Sequence, residues 1–293
     1  MSSPEGQGDS ERQENRLSTL RASELQKRVI TGILGGAALL GLIWFGGRFG
    51  VSIIGVVLSL LMMWEFSNIV LHLHDQQEKR WVLMGTTWMV AFLNFWMPRT
   101  EFELLVLCFM GLFTYYLFTS RRHVGPDFEK HFREFVFCLF GLLYLTFIPL
   151  YFPLLSDSGY SVHWTILFLV IVWSGDTGAY FAGRAYGKRK LFPTISPKKT
   201  WEGFAGGVAL GLVVTIIYKL LVFQKMSWGA AIVTPLMVGT VAPIGDLAES
   251  FLKRAYDLKD SGSLLPGHGG VLDRFDAVLF GLPIMYACVR VFG

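Results

Sequence analysis

The chain has 293 residues, of which 53% are hydrophobic, 15% aromatic and only 16% charged, and its mean hydropathy is +0.47. Those values exclude an ordinary soluble domain and predict an all-α, polytopic integral membrane protein. The net charge of +4 is too small to define a partner, so the placement of the charges carries more information than their sum.

Residues 1–26 are polar and lack the apolar core of a signal peptide. They predict a disordered cytoplasmic tail, followed by Lys27 and Arg28 at the height of anionic headgroups. A spanning helix needs about 20 apolar residues. About nine runs qualify, near 29–47, 49–71, 81–98, 102–120, 134–155, 163–183, 203–223, 229–252 and 272–292. The first two are so close that they predict a tight hairpin. With a cytoplasmic N-terminus, 21 basic residues fall in cytoplasmic segments, and only Arg48, Arg99, Lys225 and Arg290 fall on the opposite side. That asymmetry predicts N-terminus in and C-terminus out. Cys108, Cys138 and Cys288 all sit in apolar runs and read as packing residues rather than a disulfide frame or a metal set.

Residues 27–160 are rich in Trp, Phe and Leu and predict a lipid-facing scaffold with room for oligomer contacts. Glu65, Glu134 and His163 stand out there and read as packed or interfacial residues. Residues 161–293 carry the chemistry. In the sixth run Asp176, Tyr180 and Arg184 repeat every four residues. An aspartate there is costly unless paired or solvated, so it is either a structural partner of Tyr180 or Arg184 or a wall of a polar cavity. Next come Ser196, Lys198, Lys199 and Thr200 at the mouth of the seventh run. They either obey the positive-inside rule or form a hydroxyl-and-ammonium cluster suited to a triphosphate. They are not a Walker loop, since the Gly-rich lead is absent.

The eighth run ends in Asp246, Glu249, Ser250, Lys253 and Arg254, which share one face of a helix. One reading is an internal ion-pair ladder from Asp246 or Glu249 to Lys253. The other is a carboxylate for a hard metal, with phosphate-binding bases one or two turns on. Lys259 and Asp260 follow, then Pro266-Gly267-His268-Gly269-Gly270-Val271-Leu272-Asp273-Arg274-Phe275-Asp276. The glycines allow close backbone approach to an anion, and the loop enters the last run at a helix N-terminus. Asp273 is the second candidate metal ligand. Asp276 is a supporting group or a partner of Arg274. His268 binds phosphate, shuttles a proton or closes the turn. No His or Cys pair has zinc spacing, no nucleophile elbow is present, and nothing suggests nucleic acid as a partner.

The segment from Ser250 to Asp276 resembles the signature of the phosphatidate cytidylyltransferases, or CDP-diacylglycerol synthases. It reads Ser-x-Leu-Lys-Arg, four residues, Lys-Asp-x-Gly, two residues, then Leu-Pro-x-His-Gly-Gly-x-x-Asp-Arg-x-Asp, with every fixed position filled. The blocks Asp176–Tyr180 and Ser196–Gly203 are similar to family segments in order and distance. The resemblance covers about residues 165–293. It implies the conversion of CTP and phosphatidate to CDP-diacylglycerol and pyrophosphate. It also implies a nine-helix fold, often a homodimer, with a polar cavity open to cytoplasm and bilayer. Metal ligation would fall to Asp246 and Asp273, holding Mg²⁺ with a monovalent cation such as K⁺. Lys198, Lys199, Lys253, Arg254, Lys259 and Arg274 would contact phosphates, assisted by Ser250 and the Gly269–Gly270 backbone. Length and the lack of an organelle signal point to a bacterial inner (plasma) membrane. Competing readings are a related CTP-dependent lipid transferase or lipid-alcohol kinase, an ion-coupled transporter, and a scaffold without turnover.

Overall fold

The computed structural model describes residues 5–71, 77–97, 100–121, 123–155, 160–258, 260–262, 264–265 and 269–292, and only the backbone path at residues 5–31 and 33. Helix α1 runs Glu5–Val70, α2 Gln77–Trp96 and α3 Glu101–Ser120. Helix α4 (Pro126–Gly141) continues through a π-helical stretch, Leu142–Phe147, and a 3₁₀ turn, Ile148–Leu150, into the short α5 (Tyr151–Leu155). Then follow α6 (Ser161–Tyr186), strands β1 (Lys190–Phe192) and β2 (Ser196–Thr200), α7 (Trp201–Leu221), α8 (Trp228–Ala255) and α9 (Leu272–Phe292). Among the described residues, seven helical stretches are long and apolar enough to cross a bilayer. The protein is therefore a multi-pass helical membrane protein. Helix α2 falls outside the seven; it carries three tryptophans, and along one exposed side of it Trp88 stacks on Phe92, which meets Trp96 at a tilt.

The apolar stretch Leu34–Val70 is 37 residues long. A straight helix of that length would far exceed the hydrocarbon thickness of about 30 Å. Gly47 resolves the mismatch with φ 49° and ψ −136°, a conformation only glycine adopts cheaply. The chain folds back there: Gly50 lies so close to the Leu42 carbonyl that no Cβ would fit. The hairpin predicted between the first two runs is thus present as two arms of α1.

The outer surface is apolar, as lipid requires: Phe102, Leu107, Met110 and Phe118 of α3 are all exposed. The interior core joins Met62, Met63 and Phe66 of α1 to Trp164, Leu167 and Phe168 of α6 and to Leu279, Leu282 and Met285 of α9. Helices α6 and α7 approach through small residues. Gly203, Gly207 and Gly211 of α7 recur every four residues. A Cβ at Gly207 would stand 2.7 Å from the Gly175 carbonyl, and one at Gly178 would stand 2.6 Å from the Gly206 carbonyl. Such faces let backbones touch where no hydrophobic effect drives association.

The expectation of a wholly helical chain needs one correction. Strands β1 and β2 pair antiparallel, Lys190 with Thr200 and Phe192 with Ser196. Glu202 anchors the hairpin: its carboxylate accepts the Lys188 and Arg189 N–H groups and the Arg189 Nε–H at 3.1–3.2 Å. The short hairpin lies between two spans, where backbone groups can pair without a membrane-long helix. It fixes the direction in which the 198–200 segment enters α7.

Candidate active site

Three elements build the site: β2, the C-terminal half of α8, and the loop that leads into α9. Thr200 caps α7, its hydroxyl accepting the Gly203 N–H at 3.1 Å. That cap sets the approach of β2, and Lys199 then reaches α8, with Nζ 2.6 Å from Asp246 Oδ2. One turn on, Ser250 Oγ faces Asp246 Oδ1 at 3.4 Å. Another turn on, Lys253 Nζ donates to Glu249 Oε2 at 2.9 Å and to Asp273 Oδ1 at 2.6 Å. The polar stripe of α8 is therefore tied to β2 by Lys199 and to α9 by its own Lys253, and the ladder reading of Glu249 and Lys253 is correct as geometry.

Asp273 sits in the first turn of α9. Its second oxygen, Oδ2, accepts the backbone N–H of Ser261 at 3.0 Å and of Gly270 at 2.9 Å. Gly269 has φ 84°, which turns the loop tightly over this carboxylate. The glycine-rich loop, expected to face a phosphate, spends the Gly270 amide on Asp273 instead. A side-chain oxygen from α1 completes the arrangement. Glu65 Oε1 accepts Val271 N–H and Glu65 Oε2 accepts Leu272 N–H, both at 2.9 Å, while Ser261 Oγ–H donates to Oε2 at 3.3 Å.

These groups surround two chambers. The larger, about 860 Å³, is lined by Asp176, Asp246, Glu249, Lys253, Asp273, Arg274 and Asp276 on one side. Its other side is apolar and comes from both arms of α1, including Gly35, Leu39, Ile53 and Val57. The second chamber, about 500 Å³, is lined by Tyr180, Arg184, Lys198, Lys199 and Thr200, with Gly239 and Pro243 of α8. Pro243 has no N–H to donate to the Gly239 carbonyl, so α8 lacks that hydrogen bond where it borders the chamber. Asp176 and Asp246 border both spaces.

Asp246 and Asp273, the two candidate metal ligands, thus share one chamber. Asp176 takes the cavity-wall position rather than an ion pair with Arg184, whose guanidinium instead donates to Tyr180 Oη at 3.3 Å. Lys198 is exposed at the second chamber. Ser196 and Arg254 line neither chamber. Lys259 and His268 lie outside the described residues. No group of three Asp, Glu, His or Cys side chains converges into a cation cage among the described residues. The donor set nevertheless suits a hard cation: five carboxylates border the larger chamber, and Glu249 Oε1 is buried without a hydrogen-bond partner among the described residues. Magnesium is commonly bound by one or two carboxylates, with substrate phosphates and waters completing the shell.

Two carboxylates have a larger part than their sequence pattern shows. Glu249, on the polar stripe, borders the larger chamber, and Glu65 is packed, as expected, but against the loop that carries Asp273. The signal for Glu65 was its setting: an acid between Trp64 and Phe66 inside an apolar run must find donors. Nothing in the sequence said that those donors lie some 200 residues away.

Fold and site together define a multi-pass membrane protein with a carboxylate- and lysine-lined chamber among its C-terminal helices. The chain belongs to the cytidylyltransferase family, whose model matches residues 26–292. It is 31% identical over 284 residues to a phosphatidate cytidylyltransferase of Bacillus subtilis, covering 92% of this chain and 99% of that one. It is 34% identical over 272 residues to the phosphatidate cytidylyltransferase of Brucella suis, covering 92% and 95%. A third, from Staphylococcus haemolyticus, is 37% identical over 191 residues, covering 65% of this chain and 70% of that one.

Proposed function

We propose that this protein transfers the cytidylyl group of CTP to phosphatidate, giving CDP-diacylglycerol and pyrophosphate for phospholipid synthesis. The observation that carries the reading is the shared chamber of Asp246 and Asp273, with an apolar wall on one side and ammonium groups on the other. A substrate with two acyl chains and a phosphate needs both surfaces at once. The family membership and the complete signature from Ser250 to Asp276 support the same reading.

A phosphate oxygen of phosphatidate attacks the α-phosphorus of CTP. The new P–O bond forms as the bond to the bridging oxygen breaks, and that electron pair leaves with pyrophosphate. The nucleophile is already an anion, so no covalent enzyme intermediate is required. The protein's task is alignment and charge neutralisation. We assign the triphosphate to the second chamber, where Lys198, Lys199, Thr200 and Asp176 border it, with Ser196 at the start of the strand that carries the two lysines. Lys253 and Arg274, which border the larger chamber, serve the reacting phosphates together with Lys259 and His268, and the exposed Arg254 attracts the anions from outside it. Ser250 supports Asp246, and Gly269 and Gly270 close the loop on Asp273. Asp246 and Asp273 are the residues that would hold Mg²⁺, with a monovalent cation such as K⁺ beside it. Bound there, the metal would screen the mutual repulsion of the two substrates.

The membrane arrangement belongs to the same proposal. Counting the two arms of α1 separately and adding α2 gives nine crossings. The distribution of basic residues supports an N-terminus and both chambers at the cytoplasmic face of the plasma membrane. A homodimer through the N-terminal helices completes the reading. The test is purified protein with α-labelled CTP, dioleoyl phosphatidate and magnesium, followed by lipid extraction. Label in the organic phase is the expected result. Label that stays aqueous, or lipid labelled only from γ-labelled ATP and an unphosphorylated alcohol, would overturn it.

A further inference from the structure

Glu65 is 1% exposed, and no Lys, Arg or His lies within ion-pair distance of it among the described residues. A buried carboxylate without a cation needs strong neutral donors. It has three, all from the segment that presents Asp273: Val271 N–H, Leu272 N–H and Ser261 Oγ–H. The two amides belong to the start of α9, where helix geometry leaves N–H groups without internal partners and the dipole favours an anion. Ser261 connects the two acids. Its hydroxyl donates to Glu65 and its N–H donates to Asp273.

The fit is close. A Cβ at Gly262 would stand 2.6 Å from Glu65 Oε1, and one at Gly270 would stand 2.7 Å from Oε2. Both glycines therefore lie flush on the carboxylate, and residues 261–262 and 270–272 enclose it. Glu65 does not border the larger chamber, so it touches neither substrate there. We propose that Glu65 is a positioning residue: from the N-terminal half of the chain it sets the loop and first helical turn that aim Asp273 and its partner Lys253 into the chamber. The inference rests on the proposed role of Asp273 in the transfer reaction.

In Glu65→Gln one carboxylate oxygen becomes an NH₂ group facing an N–H donor, and the charge at the start of α9 is lost. Gly262→Ala leaves Glu65 in place and pushes the loop off it. Each variant is made in the full-length protein, and each also carries a reporter cysteine. Leu264→Cys lies in the loop, and Tyr186→Cys lies at the exposed end of α6. The three native cysteines are buried, so maleimide reports the introduced one. For both variants kcat, counted per CTP-binding site, is expected to fall on the order of ten- to a hundredfold. KM for CTP and phosphatidate should stay within about threefold. Labelling at position 264 should speed up several-fold while labelling at 186 stays as in the parent. Unchanged kcat in both variants overturns the proposal, as does a loss of kcat with labelling at 264 unaltered. Should Glu65→Gln fail to fold, Gly262→Ala decides alone. A parent protein that transfers no label overturns the enzymatic reading instead, and the labelling contrast still decides whether Glu65 holds the loop.

Discussion

Lys199 and Lys253 each hold an aspartate at 2.6 Å, yet their surroundings give them different weight. The Lys253 side chain is 14% exposed and faces Glu249 at 1% and Asp273 at 12%. Removing the cation leaves two enclosed carboxylates uncompensated. Lys253→Met is expected to cost about 3–5 kcal/mol of stability, read as a lowered melting temperature of the detergent-solubilised protein. Lys199 is 25% exposed and Asp246 40%, so solvent screens that pair and Lys199→Met should cost no more than about 1 kcal/mol. Its effect should appear in the KM for CTP. Asp273→Asn keeps the shape but turns an NH₂ group toward Lys253 or toward the Ser261 and Gly270 amides. A loss in kcat on the order of a hundredfold or more is expected while the protein elutes as the parent does. Near-normal turnover would remove Asp273 from the reaction.

Thr200 illustrates how far single elements were legible. The sequence offers it either to the positive-inside rule or to a phosphate-binding cluster, and in the structure its hydroxyl oxygen also caps α7. Thr200→Val should cost about 1 kcal/mol, and Thr200→Ser should restore it; a stability unaffected by either change would remove the cap from the account. The hairpin of β1 and β2 was not legible, because a five-residue strand of mostly polar residues has no apolar alternation to report it. The close approach of α6 and α7 is written in the chain as Gly203, Gly207 and Gly211, a spacing that composition alone does not separate from general apolar content. Gly207→Leu drives a side chain into the Gly175 carbonyl. It is expected to lower the melting temperature and the yield of folded protein, whereas Val213→Leu on the exposed side of α7 should change neither.

At the scale of the whole molecule, apolar runs translated directly into helices, because a bilayer demands that every backbone group be satisfied within the segment. The Gly47 reversal followed from run lengths alone. The clustering of Asp176, Lys199, Asp246 and Asp273 around adjoining chambers also followed, since charged residues beside spans must face protein or water. The tether from Glu65 to the α9 loop was hidden, because contacts across some 200 residues leave no local pattern. Orientation is open to a direct check. A cysteine replacing Lys188 should react with an impermeant maleimide only from the cytoplasmic side, and one replacing Lys225 only from the other side; the reverse pattern would invert the topology.

One flank of the larger chamber is hydrocarbon and glycine from the two arms of α1. Such a surface offers an acyl chain no hydrogen bond to gain and no shape to match. Burial of each methylene is worth about 0.8 kcal/mol in lipid as in protein, so a chain that slides along this flank neither gains nor loses on leaving the bilayer interior. Tail length and unsaturation should then hardly alter turnover, and discrimination among lipids should rest on the charged head alone.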